Sequence, residues 1–183
     1  MPSSPQCAQL DPENRLLWHM PPRRLDFESM RDALQFVAGT LDLTVGGPPV
    51  DVFTTKRRTI YGYIDRLNVQ ALLRTFDVPS PDATSPQRDV TTVPAQALYL
   101  MNSAFTQQSS KLLAQRPDIA GETDFVKRLN QLYQVVYARI PRPDEKQLAE
   151  EYFGTDSAQR IDPVRWQRFA HALLLTNEFA FVD

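Results

Sequence analysis

Phe27-Glu-Ser-Met-Arg-Asp-Ala-Leu-Gln-Phe-Val-Ala-Gly-Thr-Leu41 is the stretch that decides the fold class. Its apolar residues Phe27, Met30, Leu34, Val37 and Leu41 recur at intervals of three, four, three and four. That spacing puts them on one face of a helix with 3.6 residues per turn, not on alternating faces of a strand. Working outward, four more segments read the same way. Thr92 and Pro94 open one helix, with Leu98, Met101, Phe105 and Leu112 as its apolar stripe. Thr123 opens another, which lines up Phe125, Leu129, Leu132 and Val136. Pro143-Asp144-Glu145 starts a helix with acids suited to its dipole; Leu148 and Tyr152 are expected to face inward and Gly154 to end it. The last begins at Asp162-Pro163 and should bury Trp166, Phe169 and Leu173. A short helix is expected over 69–76.

Strand signals are sparse. Arg58-Thr-Ile-Tyr-Gly-Tyr-Ile64 is β-branched and aromatic, but one such run without a partner makes no sheet. The predicted fold is therefore all-α: an irregular multi-helix bundle with at most one short strand pair. Two long, ordered, proline-rich connections should run from Leu41 to Lys56 and from Phe76 to Thr92. The 183 residues read as one domain, with 1–10 as a disordered or truncated start.

Composition narrows the function classes. A chain this long buries roughly 70% of its unfolded surface and needs no disulfide or metal to fold. Twenty basic residues against 22 acidic ones give a net charge of −2, so no bulk field recruits nucleic acid or anionic lipid. No run reaches the ~20 apolar residues of a membrane helix. The single cysteine, Cys7, excludes an internal disulfide and any cysteine-based metal cage. The first 14 residues lack the basic and apolar regions of an export signal. Fifteen prolines against six glycines favour rigid connections over flexible linkers.

Catalytic signatures are absent too. His19 and His171 are far apart in sequence and fit no metal-ligand spacing, so no metal is expected; His171 reads as a partly exposed helix residue. No nucleophile elbow, zinc-protease helix or phosphate loop occurs, and Gly46-Gly47-Pro48-Pro49 reads as a turn. The polar density lies between residues 56 and 102. There Lys56, Arg57, Arg58, Arg66, Arg74 and Arg88 accompany Asp65, Asp77, Asp82 and Asp89, with Gln96 and Asn102 following. The simplest reading is an ion-pair network pinning a proline-rich loop, because an ordered loop must satisfy its backbone groups. The functional alternative is a ligand site of Arg58, Arg66, Asp77, Arg88, Gln96 and Asn102 for an anionic or sugar-like molecule. Burial separates the two readings: side chains converging on an open concavity favour a ligand. A nucleic-acid surface of Arg57, Arg58, Tyr61, Tyr63 and Phe76 is disfavoured by the interleaved aspartates. A third class, partner docking, would use the first long helix with Leu16, Leu17 and Trp18.

The ordered runs Arg57-Arg-Thr-Ile-Tyr-Gly-Tyr-Ile-Asp-Arg66, Leu72-Leu-Arg-Thr-Phe-Asp77 and Ser85-Pro-Gln-Arg-Asp-Val-Thr-Thr-Val-Pro-Ala-Gln-Ala-Leu-Tyr-Leu-Met-Asn102 carry a family resemblance. So do Asp11-Pro-Glu-Asn-Arg-Leu-Leu-Trp18, Gly46-Gly-Pro-Pro49, Arg139-Ile-Pro-Arg-Pro-Asp-Glu145 and the ending from Leu173. Together they resemble the planctomycete surface domain of the first type, a domain of unknown function. The resemblance implies the C-terminal domain of a large exported protein of the periplasm or cell envelope. It also implies an upstream domain as partner and often a haem c module, with a proposed link to polysaccharide degradation. This chain has no CxxCH motif, so no cofactor is expected within it. The expected role is an accessory or binding module. The alternatives are an enzyme domain acting on anionic polysaccharide through residues 57–102, and a partner-docking module.

Overall fold

Asp26 turns the chain into its first long helix by accepting the Ser29 backbone N–H at 2.8 Å, the role of a short acidic N-cap. The computed structural model describes residues 5–156 and 161–182. In chain order it contains α1 (Pro5–Leu10), β1 (Arg23–Arg24), α2 (Phe27–Val37), a 3-10 turn (Thr59–Tyr61), α3 (Ala71–Thr75), α4 (Pro94–Asn102) and α5 (Ala104–Ala114). There follow α6 (Pro117–Ala120), α7 (Phe125–Tyr137), α8 (Pro143–Phe153), α9 (Pro163–Leu174), α10 (Asn177–Ala180) and β2 (Phe181–Val182). The fold is mostly α. Its one sheet among the described residues is the antiparallel pair of β1 and β2, with Arg23 opposite Val182 and Arg24 opposite Phe181. That pair ties the entry to α2 to the end of the described chain.

The centre of the core is aromatic. Trp166 and Phe153 are fully buried with ring centroids 4.6 Å apart, and Phe125 lies 5.9 Å from Trp166. Arg128 lays its guanidinium over the Trp166 ring at 4.2 Å, covering the indole with a planar cation. The most extensive helix pairing is α5 with α9. On α5 the buried face carries Thr106, Ser109, Ser110, Leu113 and Ala114. Ser109 and Ser110 donate their hydroxyls to Phe105 O and Gln107 O, both at 2.8 Å, so small polar side chains are buried with their donors satisfied. No helix among the described residues is long and apolar enough to cross a membrane.

Several expectations need correction. α2 ends before Leu41, because Gly39 takes φ +70° and turns the chain away. The helix expected from Thr92 is two helices. Ser103 breaks it by capping α5, its hydroxyl accepting the Thr106 N–H, and α4 is preceded by Val93 rather than Thr92. Leu98 and Met101 are more than half exposed, and the buried residue of α4 is Gln96. α7 is capped by Asp124 instead of Thr123. On α8 the buried stripe is Ala149 and Phe153, one position on from Leu148 (63% exposed) and Tyr152 (40%). Residues 5–10, expected to belong to a disordered or truncated start, form α1; residues 1–4 lie outside the described residues.

The 58–64 run is no strand. It forms the 3-10 turn and a single bridge from Gly62 to Val50. Arg57 explains how the first long connection stays ordered. Its fork donates to Gly46 O and Pro48 O while the guanidinium lies 4.3 Å from the Tyr61 ring centroid, and the Tyr61 hydroxyl accepts the Gly46 N–H. Gly46 and Gly47, at φ +76° and +93°, supply the turn over that fork.

Candidate functional site

Arg24 organises the polar region. Its Nη1 donates to Thr91 O at 2.6 Å and to Gln96 Oε1 at 2.8 Å, and its Nη2 lies 3.3 Å from Asp77 Oδ2. Asp77 follows α3 in the left-handed region at φ +58°, a conformation that short polar side chains tolerate. Its carboxylate accepts both the backbone N–H of Thr91 (2.8 Å) and the Thr91 hydroxyl (2.7 Å), closing the proline-rich 78–90 loop on itself. Gln96, only 5% exposed, donates its amide to Thr75 O at 2.8 Å. Both ends of the loop are thus fastened to α3 and β1. Desolvation pushes the Asp77 carboxyl up, but the Thr91 hydrogen bonds and Arg24 outweigh it and hold the group below the ordinary carboxylate range.

Further along the loop, Arg88 makes a two-pronged pair with Glu28, both contacts at 2.8 Å, and lies 3.3 Å from Asp26. The Glu28 hydrogen bonds raise the Arg88 pKa. Burial raises the Asp26 carboxyl, and the Ser29 hydrogen bonds with Arg88 and Arg23 lower it by more. The loop is in this way clamped onto the start of α2. On the other wall, Asp32 accepts the Thr59 N–H and hydroxyl at 2.8 and 2.6 Å, with Arg58 at 3.6 Å.

Between these walls runs a groove of about 1150 Å³. Buried Phe27, Val52, Leu73 and Phe76 contribute to its lining, as do exposed Ile60 and Val90. Arg23, Arg24, Arg58 and Arg88 are matched there by Asp26, Glu28, Asp32 and Asp89, so the groove is charge-balanced.

The six residues singled out from the sequence therefore do not form one cluster. Arg58 and Arg88 share the groove, while Asp77 and Gln96 share the fastening at the loop ends. Arg66 is 70% exposed and sits 3.6 Å from a similarly exposed Asp82, a solvent-screened pair outside the groove lining. Asn102 is exposed and donates to Leu98 O at the end of its own helix. Sequence reasoning missed Arg24, Asp26, Glu28 and Thr91. Arg23-Arg24 after two prolines was visible, but its partners lie 53 to 72 positions away. Phe76 is buried and Arg57 lies over Tyr61, so neither ring forms an open stacking platform. His171 is half-buried with Nε2 3.2 Å from Leu100 O. The described residues contain no group of three or more His, Cys, Asp or Glu side chains placed to hold a metal.

Comparison with curated proteins and with solved structures finds no match. A family model described as PSD1, a protein of unknown function (DUF1553), matches residues 2–153, in keeping with the resemblance carried by residues 57–102. The matched span ends at Phe153, yet its core is completed by Trp166 and Leu173 of α9. The chain belongs to the PSD1 family of proteins of unknown function.

Proposed function

We propose that this chain is an accessory binding module, the C-terminal part of a larger planctomycete envelope protein, and that its groove receives a partner surface. In this reading the first partner is the domain preceding it in the parent protein. The parent is exported, and any haem c belongs to an upstream module. The observation that carries the proposal is the state of the groove carboxylates. Three of the four groove carboxylates, Asp26, Glu28 and Asp32, already meet an arginine, and the shift at Asp26 is downward. A general acid at neutral pH needs the opposite shift. Exposed Ile60 (72%) and Val90 (69%) beside these paired charges are side chains that a bound surface would cover.

The glycan-processing alternative keeps one point of support. Arg58 is half exposed and held to Asp32 only at 3.6 Å, so it is the group an anionic glycan would claim. Titration calorimetry of the purified chain with the preceding domain, and separately with a sulfated oligosaccharide, tests the proposal. Binding of the domain that Ile60→Glu weakens tenfold or more supports docking. Cleavage of the oligosaccharide by the chain alone, or indifference of domain binding to Ile60→Glu, overturns it.

A further inference from the structure

The proline-rich loop between α3 and α4 is fastened at its two ends and at one point between them. At the first end Val78 N donates to Leu73 O at 3.0 Å. At the second, Thr91 is held by Asp77 and Arg24. Residues 79–90 lie on the surface: Pro81 and Arg88 are half-buried and the others are exposed. Apart from those of Arg88, the hydrogen bonds of this span close on the span itself, from Asp82 N to Ser80 Oγ, Ala83 N to Ser80 O and Ser85 Oγ to Gln87 O. Ion pairs leave it at two places. Arg66 and Asp82, 3.6 Å apart and both well exposed, are screened by solvent and hold little. Arg88 is different, because its fork takes both Glu28 oxygens and Asp26 lies 3.3 Å away. One side chain therefore anchors the middle of the loop.

The same span is part of the groove. Gln87, Arg88, Asp89 and Val90 line it together with buried Phe27 and Phe76. Pro79, Pro81 and Pro86 fix φ at three places, so the span is stiff and moves as a unit rather than crumpling. A pivot about the fastened ends that lifts Arg88 from Glu28 and Asp26 carries this wall away from α2 and widens the groove beside the two rings. We propose that residues 79–90 form a strap latched by Arg88, which gates the groove: closed while Arg88 holds Glu28, open when the pair is released. The inference concerns regulation of the groove and rests on the docking reading only for what enters. A partner that needs the open form sees its affinity reduced by the fraction of molecules that are open.

Nitrogen-15 relaxation-dispersion NMR of the full chain reads the strap with no partner present. The parent should show a minor open state of about 1–10% at the amides of residues 87–90. Arg88→Gln and Glu28→Gln each remove one half of the latch. Both should raise the open population about tenfold and bring the resonances of 82–87 to the same positions, while the Thr91 amide stays protected from exchange. Nile red, a neutral apolar dye, should bind both variants about tenfold more tightly than the parent, in proportion to the fraction open. The gate is overturned if the parent has no open state, if the two variants place the strap differently, or if the dye binds all three proteins alike. Loss of Thr91 protection in either variant overturns it as well, because an end and not the latch would then have given way. Each of these failures leaves the docking reading standing, whereas a preceding domain that does not bind the chain defeats that reading and not the strap.

Discussion

Arg24 and Asp77, 53 positions apart, meet at 3.3 Å, and through them the two-stranded sheet, the end of α3 and the 78–90 loop share one hydrogen-bond network. The contact joins an element at the edge of the fold to a residue in a left-handed turn, and it fixes where the groove wall stands.

Gln96 is the buried member of this network. Gln96→Ala leaves the Thr75 carbonyl unpartnered and takes one acceptor from the Arg24 fork. We expect a loss of about 2 kcal/mol in stability, measured by urea unfolding, because a buried polar group stripped of its partner carries its full desolvation penalty.

Asp77 gives a pH signature. Its folded pKa lies below the ordinary value of 3.8, so its stabilisation is present above that value and is lost as pH falls through the folded pKa. Asp77→Asn keeps a residue that tolerates positive φ and removes the charge. Its unfolding free energy should therefore fall less steeply than the parent's as pH drops below about 4. Asp26, Asp118 and Glu145 are also shifted down, so the difference between the two proteins is the quantity to measure. Parallel acid limbs would mean that the Asp77 charge contributes nothing.

Arg139 is the second hub. It makes two-pronged pairs with Glu145 at 2.8 and 2.7 Å and with Glu178 at 2.6 and 2.7 Å, tying the end of α7 to α8 and α10. A lysine offers one point charge in place of two forks. Arg139→Lys should cost about 1–2 kcal/mol despite keeping the charge, and thermal unfolding will show it. A melting temperature equal to the parent's would mean that the fork geometry is irrelevant.

Gly62 tests the packing of the first long connection. A Cβ there would sit 2.1 Å from Val52 Cγ2 and 2.9 Å from Thr59 O. Gly62→Ala should destabilise by about 1–3 kcal/mol through overpacking, although its backbone conformation suits any residue. A circular dichroism melt checks this directly.

The sequence made α2 legible because Phe27, Met30, Leu34 and Val37 left one choice of face. On α8 two stripes compete at the same spacing, Leu148 with Tyr152 and Ala149 with Phe153. The smaller pair wins because Phe153 completes the ring cluster around Trp166, a condition set by a helix elsewhere in the chain. Ser103 illustrates another limit: a small polar residue inside an apolar pattern reads as tolerated, yet its hydroxyl is what starts α5. At the candidate site, the polar density of 57–102 was visible. What it pairs with was not, because Arg24, Asp26 and Glu28 reach it from before α2 and from its first turn, and nothing local announces such contacts.

Polar residues within 57–102 hold one side of the groove as a fixed wall, and amide hydrogen exchange at Thr91, whose N–H is donated to Asp77, tests this most directly. Protection of Thr91 in the free chain should approach that of the α2 amides and fall at least tenfold in Asp77→Ala. Exchange of Thr91 at the rate of an unprotected peptide in the parent protein would contradict the fixed wall, leaving it with no set position.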